Sequence, residues 1–131
     1  MEYKDTVKEW IELADNDLAL ANHTANTMHP VPVEIVCFHC QQFAEKYLKG
    51  FLASKGIEPP HIHDLVKLAS LCEAENFEFG KIKLKCIALT EYGIKPRYPG
   101  GMEINEEDMT KALRISEGIK LFMRERMPEL F

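Results

Sequence analysis

The sequence predicts an all-α protein, an antiparallel up-and-down bundle of four to five helices, and three observations carry that prediction. Apolar residues recur with helical rather than alternating spacing in five segments. Pro and Gly fall in clusters that punctuate those segments. The one stretch that could be read as a strand has no partner strand elsewhere in the chain.

The first helix is expected from about Tyr3 to Met28, with Tyr3, Val7, Trp10, Ile11, Ala14, Leu18, Ala21 and Ala25 on one apolar stripe. His29-Pro30-Val31-Pro32 ends it, because proline lacks an amide donor and disfavours helix before it. The second helix, about Val33 to Lys55, is the best patterned. Val36, Cys37, Cys40, Phe43, Ala44, Tyr47, Leu48, Phe51 and Leu52 fill one half of its circumference; Phe38, His39, Gln42, Glu45, Lys46 and Lys49 fill the other. Gly56 is placed to close it, followed by Pro59-Pro60.

A short third helix opens near His63-Asp64 and carries Leu65, Leu68, Ala69 and Cys72. Residues 81–86 alternate, but a lone strand would leave its backbone unpaired. Ile82, Cys86, Leu89 and Gly93 also fit a helical stripe, so a fourth helix is expected to about Tyr92. Gly93 to Ile104 is turn-rich. Asn105 then suits an N-cap, with Glu106, Glu107 and Asp108 favourable to the dipole of a last helix. That helix is expected to bury Met109, Ala112, Leu113, Ser116, Ile119 and Met123. Long helices joined by short loops imply antiparallel packing.

The chain of 131 residues is read as a single domain, 1–131, with one continuous core. No apolar run approaches the roughly 20 residues of a membrane span. The N-terminal residues lack a basic-then-apolar pattern, so a cytoplasmic protein with reduced thiols is expected. The net charge of −5 disfavours broad contact with a phosphate backbone. Charge is nonetheless uneven: Lys81, Lys83, Lys85, Lys95 and Arg97 face only Glu91 across residues 81–97, a pattern that reads as a solvated face.

Several groups could carry chemistry. Cys37-x-x-Cys40 lacks the strand–helix context of a redox motif, and His39 points away from both thiols, so it cannot complete a zinc site with them. Buried structural cysteines are expected, with no metal and no cofactor. Asp17, at the margin of the first apolar stripe, needs a cationic or hydrogen-bonding partner; a bridge to a neighbouring helix is favoured over a functional role. His39, Gln42 and Lys46 form a stripe with Glu45 nearby, suited to a phosphate, a base edge or another protein. A partner interface ranks first for this stripe, then an exposed face, then a catalytic site. His63 and Asp64 read as helix capping before catalysis. Arg97, held between Pro96 and Tyr98-Pro99, suits either a bundle carboxylate or a ligand phosphate.

Taken together, Trp10-x-x-x-Ala14-x-x-Asp17-Leu18-x-x-Ala21, Phe38-His39-x-Gln41-Gln42-x-Ala44-Glu45-Lys46, His63-Asp64-Leu65 and Arg97-Tyr98-Pro99 resemble the HEPN family (higher eukaryotes and prokaryotes nucleotide-binding) over nearly the whole chain. The resemblance implies a helical bundle that commonly forms a homodimer and frequently pairs with a minimal nucleotidyltransferase in a toxin–antitoxin-like module. Many members are metal-independent ribonucleases that use an Arg separated by four to six residues from a His. Here the corresponding positions hold Met102, Glu103 and Ile104, and no histidine follows His63. The expectation is therefore a non-nucleolytic protein that binds nucleotide, a nucleotidyltransferase, or both, with ATP or GTP expected ahead of RNA. Its expected binding residues are His39, Gln42, Glu45, Lys46, His63, Asp64, Tyr92, Arg97 and Tyr98. Two alternatives stay open: a ribonuclease toxin with an atypical site built by His39 or His63, and a ligand-free homodimer with Phe38 in its seam.

Overall fold

The structure, a computed structural model, describes residues 2–94 and 104–128, with the side chains of residues 2–4, 93 and 94 left aside. Five α-helices follow in order: α1 (Glu2–Thr27), α2 (Val33–Ser54), α3 (Leu65–Glu75), α4 (Gly80–Ile94) and α5 (Glu106–Arg126). A single 3₁₀ turn, Phe77–Phe79, joins α3 to α4. No strand occurs among the described residues, and 81–86 lie inside α4. The all-α expectation holds.

The helix ends form where local chemistry satisfies orphan backbone groups. At the end of α2, the amide of Gly56 donates to Ala53 O and that of Ile57 to Leu52 O, both at 3.0 Å. This six-to-one pairing requires left-handed backbone at the residue between, and Gly56 supplies φ +75°. Asp64 caps α3 by accepting from the Val66 and Lys67 amides at 3.0 and 3.1 Å. Asn105 and Asp108 form a reciprocal capping box at α5, at 2.8 and 3.1 Å. The 3₁₀ turn escapes prediction because three residues are too few for any periodicity to show. Asn76 starts it by accepting from the Glu78 amide, and it delivers Phe79 to the core. The Phe79 ring lies 4.2 Å from that of Phe51 and 5.1 Å from that of Phe122.

α1 and α2 form a long antiparallel hairpin, and α2 is the central element, packed against α1, α3, α4 and α5. Helices α1 and α2 approach closely at Gly50. A Cβ there would stand 2.9 Å from Ile11 Cδ1 and 3.2 Å from Trp10 Cβ, so glycine permits this spacing. The expected stripes are buried: Val7, Ile11, Ala14, Leu18 and Ala21 from α1, and Val36, Phe43, Tyr47, Leu48, Phe51 and Leu52 from α2. On α5, Met109, Ala112, Ser116, Ile119 and Met123 are buried, while Leu113 is only partly so.

Glu45 and Lys49 lie on the polar half of α2, opposite the core stripe, yet each is only 6% exposed. A helix enclosed on most sides buries part of its polar half as well. Here α1 and the segment before α3 cover it, through Trp10 and His63.

Candidate functional site

The polar half of α2 meets α1 along a seam, and the seam carries two ionic clusters. In the first, Asp17 of α1 faces two residues two turns apart on α2. Its Oδ1 lies 3.0 Å from His39 Nδ1 and its Oδ2 accepts from Lys46 Nζ at 2.5 Å. The three side chains are between 11% and 24% exposed. They therefore sit at the boundary between core and solvent, where an ion pair gains more than at an open surface. The expected bridge from Asp17 to a neighbouring helix exists.

This arrangement leaves donors over. Lys46 commits one ammonium proton to Asp17 and keeps two. The Nδ1 contact to Asp17 holds the His39 imidazole in place while its Nε2 has no partner among the described residues. Phe38 packs edge-on to the His39 ring at 5.5 Å. Gln42, one turn from both on the same stripe, is half-buried. Lys46 and Gln42, joined by His39 in its imidazolium form, can take an anionic oxygen, although the charge of Asp17 moderates the attraction.

The second cluster lies further along α2. Glu45 Oε2 accepts from Lys49 Nζ at 3.1 Å, and Glu45 also meets His63 Nδ1 at 3.0 and 3.2 Å. Lys49 Nζ stands 5.7 Å from the centroid of the Trp10 ring. His63, 84% exposed, is the solvent-facing end of this chain, while Glu45 and Lys49 are 8% and 7% exposed at their side chains.

The expected binding residues thus separate. His39, Gln42 and Lys46 share one stripe, and Glu45 joins His63. Asp64 caps α3 as anticipated. Tyr92 has Asp108, Lys111 and Cys37 as electrostatic neighbours, and no described contact brings it to the seam; burial raises its hydroxyl pKa. Arg97 and Tyr98 lie outside the described residues.

Three features were not anticipated. Asp15 accepts from the Tyr47 hydroxyl at 3.2 Å and lies 3.6 Å from Lys120 Nζ, tying α1, α2 and α5 together. Burial, then Asp15, pushes the Tyr47 pKa up. Gln41 donates to the carbonyls of Leu89 and Thr90 on α4, a structural use of an amide adjacent to the stripe. Trp10, read as a core residue, is only partly buried and walls a cleft of about 270 Å³ with Thr6, Glu9 and Leu13. The sequence signal for that cleft was present in part, since Leu13 and Trp10 sit one turn from Asp17 and two.

All four cysteines are buried free thiols, as expected. Burial pushes Cys40 up to about 11 and Cys37 and Cys86 up to about 12, and raises Cys72 further. Thiols so raised carry negligible thiolate at neutral pH and are poor nucleophiles.

Comparison with known proteins finds a match to the HEPN domain model over residues 7–126. Among solved structures the chain is similar to ST0689, an archaeal HEPN homologue, with 24% identity and a TM-score of 0.74 over 92% of this chain and 97% of that one. It is also similar to TT1696 from Thermus thermophilus, with 23% identity and a TM-score of 0.71 over 91% and 96% of the two chains. These likenesses bear on the helical fold. Comparison with curated proteins finds no match.

Proposed function

This chain belongs to the HEPN domain family, and from that premise we propose that it is a non-nucleolytic binding protein whose α1–α2 seam takes the phosphates of a nucleotide. The observation that carries the reading is the convergence of His39 and Lys46 on Asp17, with Gln42 on the same stripe. Asp17 holds both donors in place before any ligand arrives, so little side-chain entropy is lost on binding. Lys46 acts as a point charge on phosphate, the imidazolium form of His39 supplies a second N–H from Nε2 while Nδ1–H stays on Asp17, and Gln42 contacts a base edge or backbone. Arg97 adds a guanidinium suited to phosphate, and Tyr98 a ring for stacking. The usual nuclease pairing is missing, since Met102, Glu103 and Ile104 occupy the positions that would hold its histidine. Calorimetric titration of ATP and GTP into wild type, Lys46→Ala and Arg97→Ala tests the reading. Binding by the wild type that weakens in both variants is expected; equal, negligible heats in all three proteins refute it.

The partner side of the proposal is a minimal nucleotidyltransferase, or a second copy of this chain, seated beside the seam. Phe38, Ile35 and Leu20 are between 39% and 50% exposed there, which supports a covered surface. Sedimentation showing only monomer would count against the second copy, and failure to co-purify with a co-expressed minimal nucleotidyltransferase would count against the first.

One observation favours a ribonuclease with an atypical site as a second reading. Asp17 engages His39 Nδ1, the contact that orients an imidazole for proton transfer through Nε2. Incubation with cellular RNA decides it: cleavage lost in His39→Ala would establish the nuclease, and intact RNA would exclude it.

A further inference from the structure

We propose that the cleft beside Trp10 receives the base of the bound nucleotide, specifically a purine carrying an amino group; this rests on the nucleotide reading above and extends it. The cleft is an open groove formed by Thr6, Glu9, Trp10 and Leu13 with a volume of about 270 Å³, just below the usual range of ligand sites and enough for one face of a base to lie in. Its four lining residues all belong to α1, and Trp10 also borders α2 at Gly50 and Lys49. Trp10 and Asp17 are two turns apart on α1, about 10 Å along the axis. On α2, Gly50 at Trp10 lies one turn beyond Lys46. A nucleotide whose phosphates meet Lys46 and His39 therefore has its base within reach of Trp10.

The chemistry of the walls chooses the ligand. An indole face and the exposed Leu13 side chain offer a surface on which a flat ring stacks. Lys49, 5.7 Å from the Trp10 centroid, fixes the ring from the α2 side. Glu9 is exposed and has no partner among the described residues. A carboxylate is an acceptor only, so it favours bases that present amino hydrogens and disfavours uracil, which presents carbonyl oxygens beside its single ring N–H. Guanine, with adjacent ring and amino N–H groups, meets a carboxylate through two parallel bonds; adenine offers its amino group alone. Stacking on one aromatic ring changes affinity by about tenfold or more.

Trp10 is the sole tryptophan of the chain, so its fluorescence reports on the cleft directly. Titration of wild type with guanosine, adenosine and uridine, none carrying phosphate, should give saturable quenching by the purines, guanosine first, with uridine at least about tenfold weaker. Glu9→Gln should narrow that gap, and Leu13→Phe, which fills the cleft, should abolish quenching. Calorimetry with inorganic tripolyphosphate runs in parallel on each protein and should give the same heat in all three. Tripolyphosphate or ATP binding without quenching by any nucleoside overturns the cleft assignment and leaves the phosphate site standing. Equal quenching by uridine overturns the amino-base claim, and an absence of ATP binding removes the nucleotide reading and this proposal together.

Discussion

Replacing Lys49 with methionine should destabilise the protein by about 2–3 kcal/mol, and replacing Glu45 and Lys49 together should cost far less. The two charges lie at the α1–α2 seam with side chains 7% and 8% exposed, 3.1 Å apart. Removing one partner of a buried pair typically costs about 3–5 kcal/mol, because the other charge stays desolvated. Two features of the seam adjust that figure. His63 remains 3.0 Å from Glu45 after the substitution and lowers the cost, though as a highly exposed side chain its contribution is screened. Methionine keeps the apolar stem of lysine against Trp10, so little packing is lost. In the double variant Glu45→Gln/Lys49→Met neither charge is left behind, and a net change within about 1 kcal/mol is expected. The assay is urea unfolding at pH 7 followed by circular dichroism, read as the shift in midpoint at constant slope. A double-variant cycle then isolates the coupling. A single-variant loss no larger than that of the double would refute the reasoning, since it would mean that Glu45 gains nothing specific from Lys49.

Three further outcomes follow from other parts of the fold. Asp17→Ala releases both His39 and Lys46 from their shared anchor; a loss of about 1–3 kcal/mol is expected by thermal unfolding, together with weaker ATP binding by calorimetry. Phe79→Ala empties the space between Phe51 and Phe122 and should cost about 3–5 kcal/mol in the same urea assay. The buried thiols make stability fall in alkali. Their native pKa values, about 11 for Cys40 and about 12 for Cys37 and Cys86, lie above the unfolded value of 9.0. Between those limits the unfolded state binds fewer protons than the native state, so each thiol removes about 1.4 kcal/mol per pH unit as pH rises. Urea midpoints measured from pH 8 to 10.5 should therefore drop, and Cys37→Ala/Cys40→Ala should roughly halve the slope.

What the sequence determined by itself is the part of the fold that depends on near neighbours along the chain. Helix spans, the Gly56 closure, the Asp64 and Asn105 caps and the burial of the four thiols each follow from 3.6-residue periodicity or from hydrogen bonds across two to four residues. Of the candidate site, the His39–Gln42–Lys46 stripe and the need of Asp17 for a partner were legible for the same reason. Tertiary structure decided the rest. A helical wheel shows which residues share a face, but not what covers that face or in which register. Glu45 and Lys49 share the polar half of that wheel, and it is α1 and the segment before α3, closing over them, that bury them. The identity of Asp17's partners depends on how far α1 is offset along α2. That offset is chosen by the approach at Gly50 and by the shared aromatic core, and burial and charge pairing are properties of the space between helices.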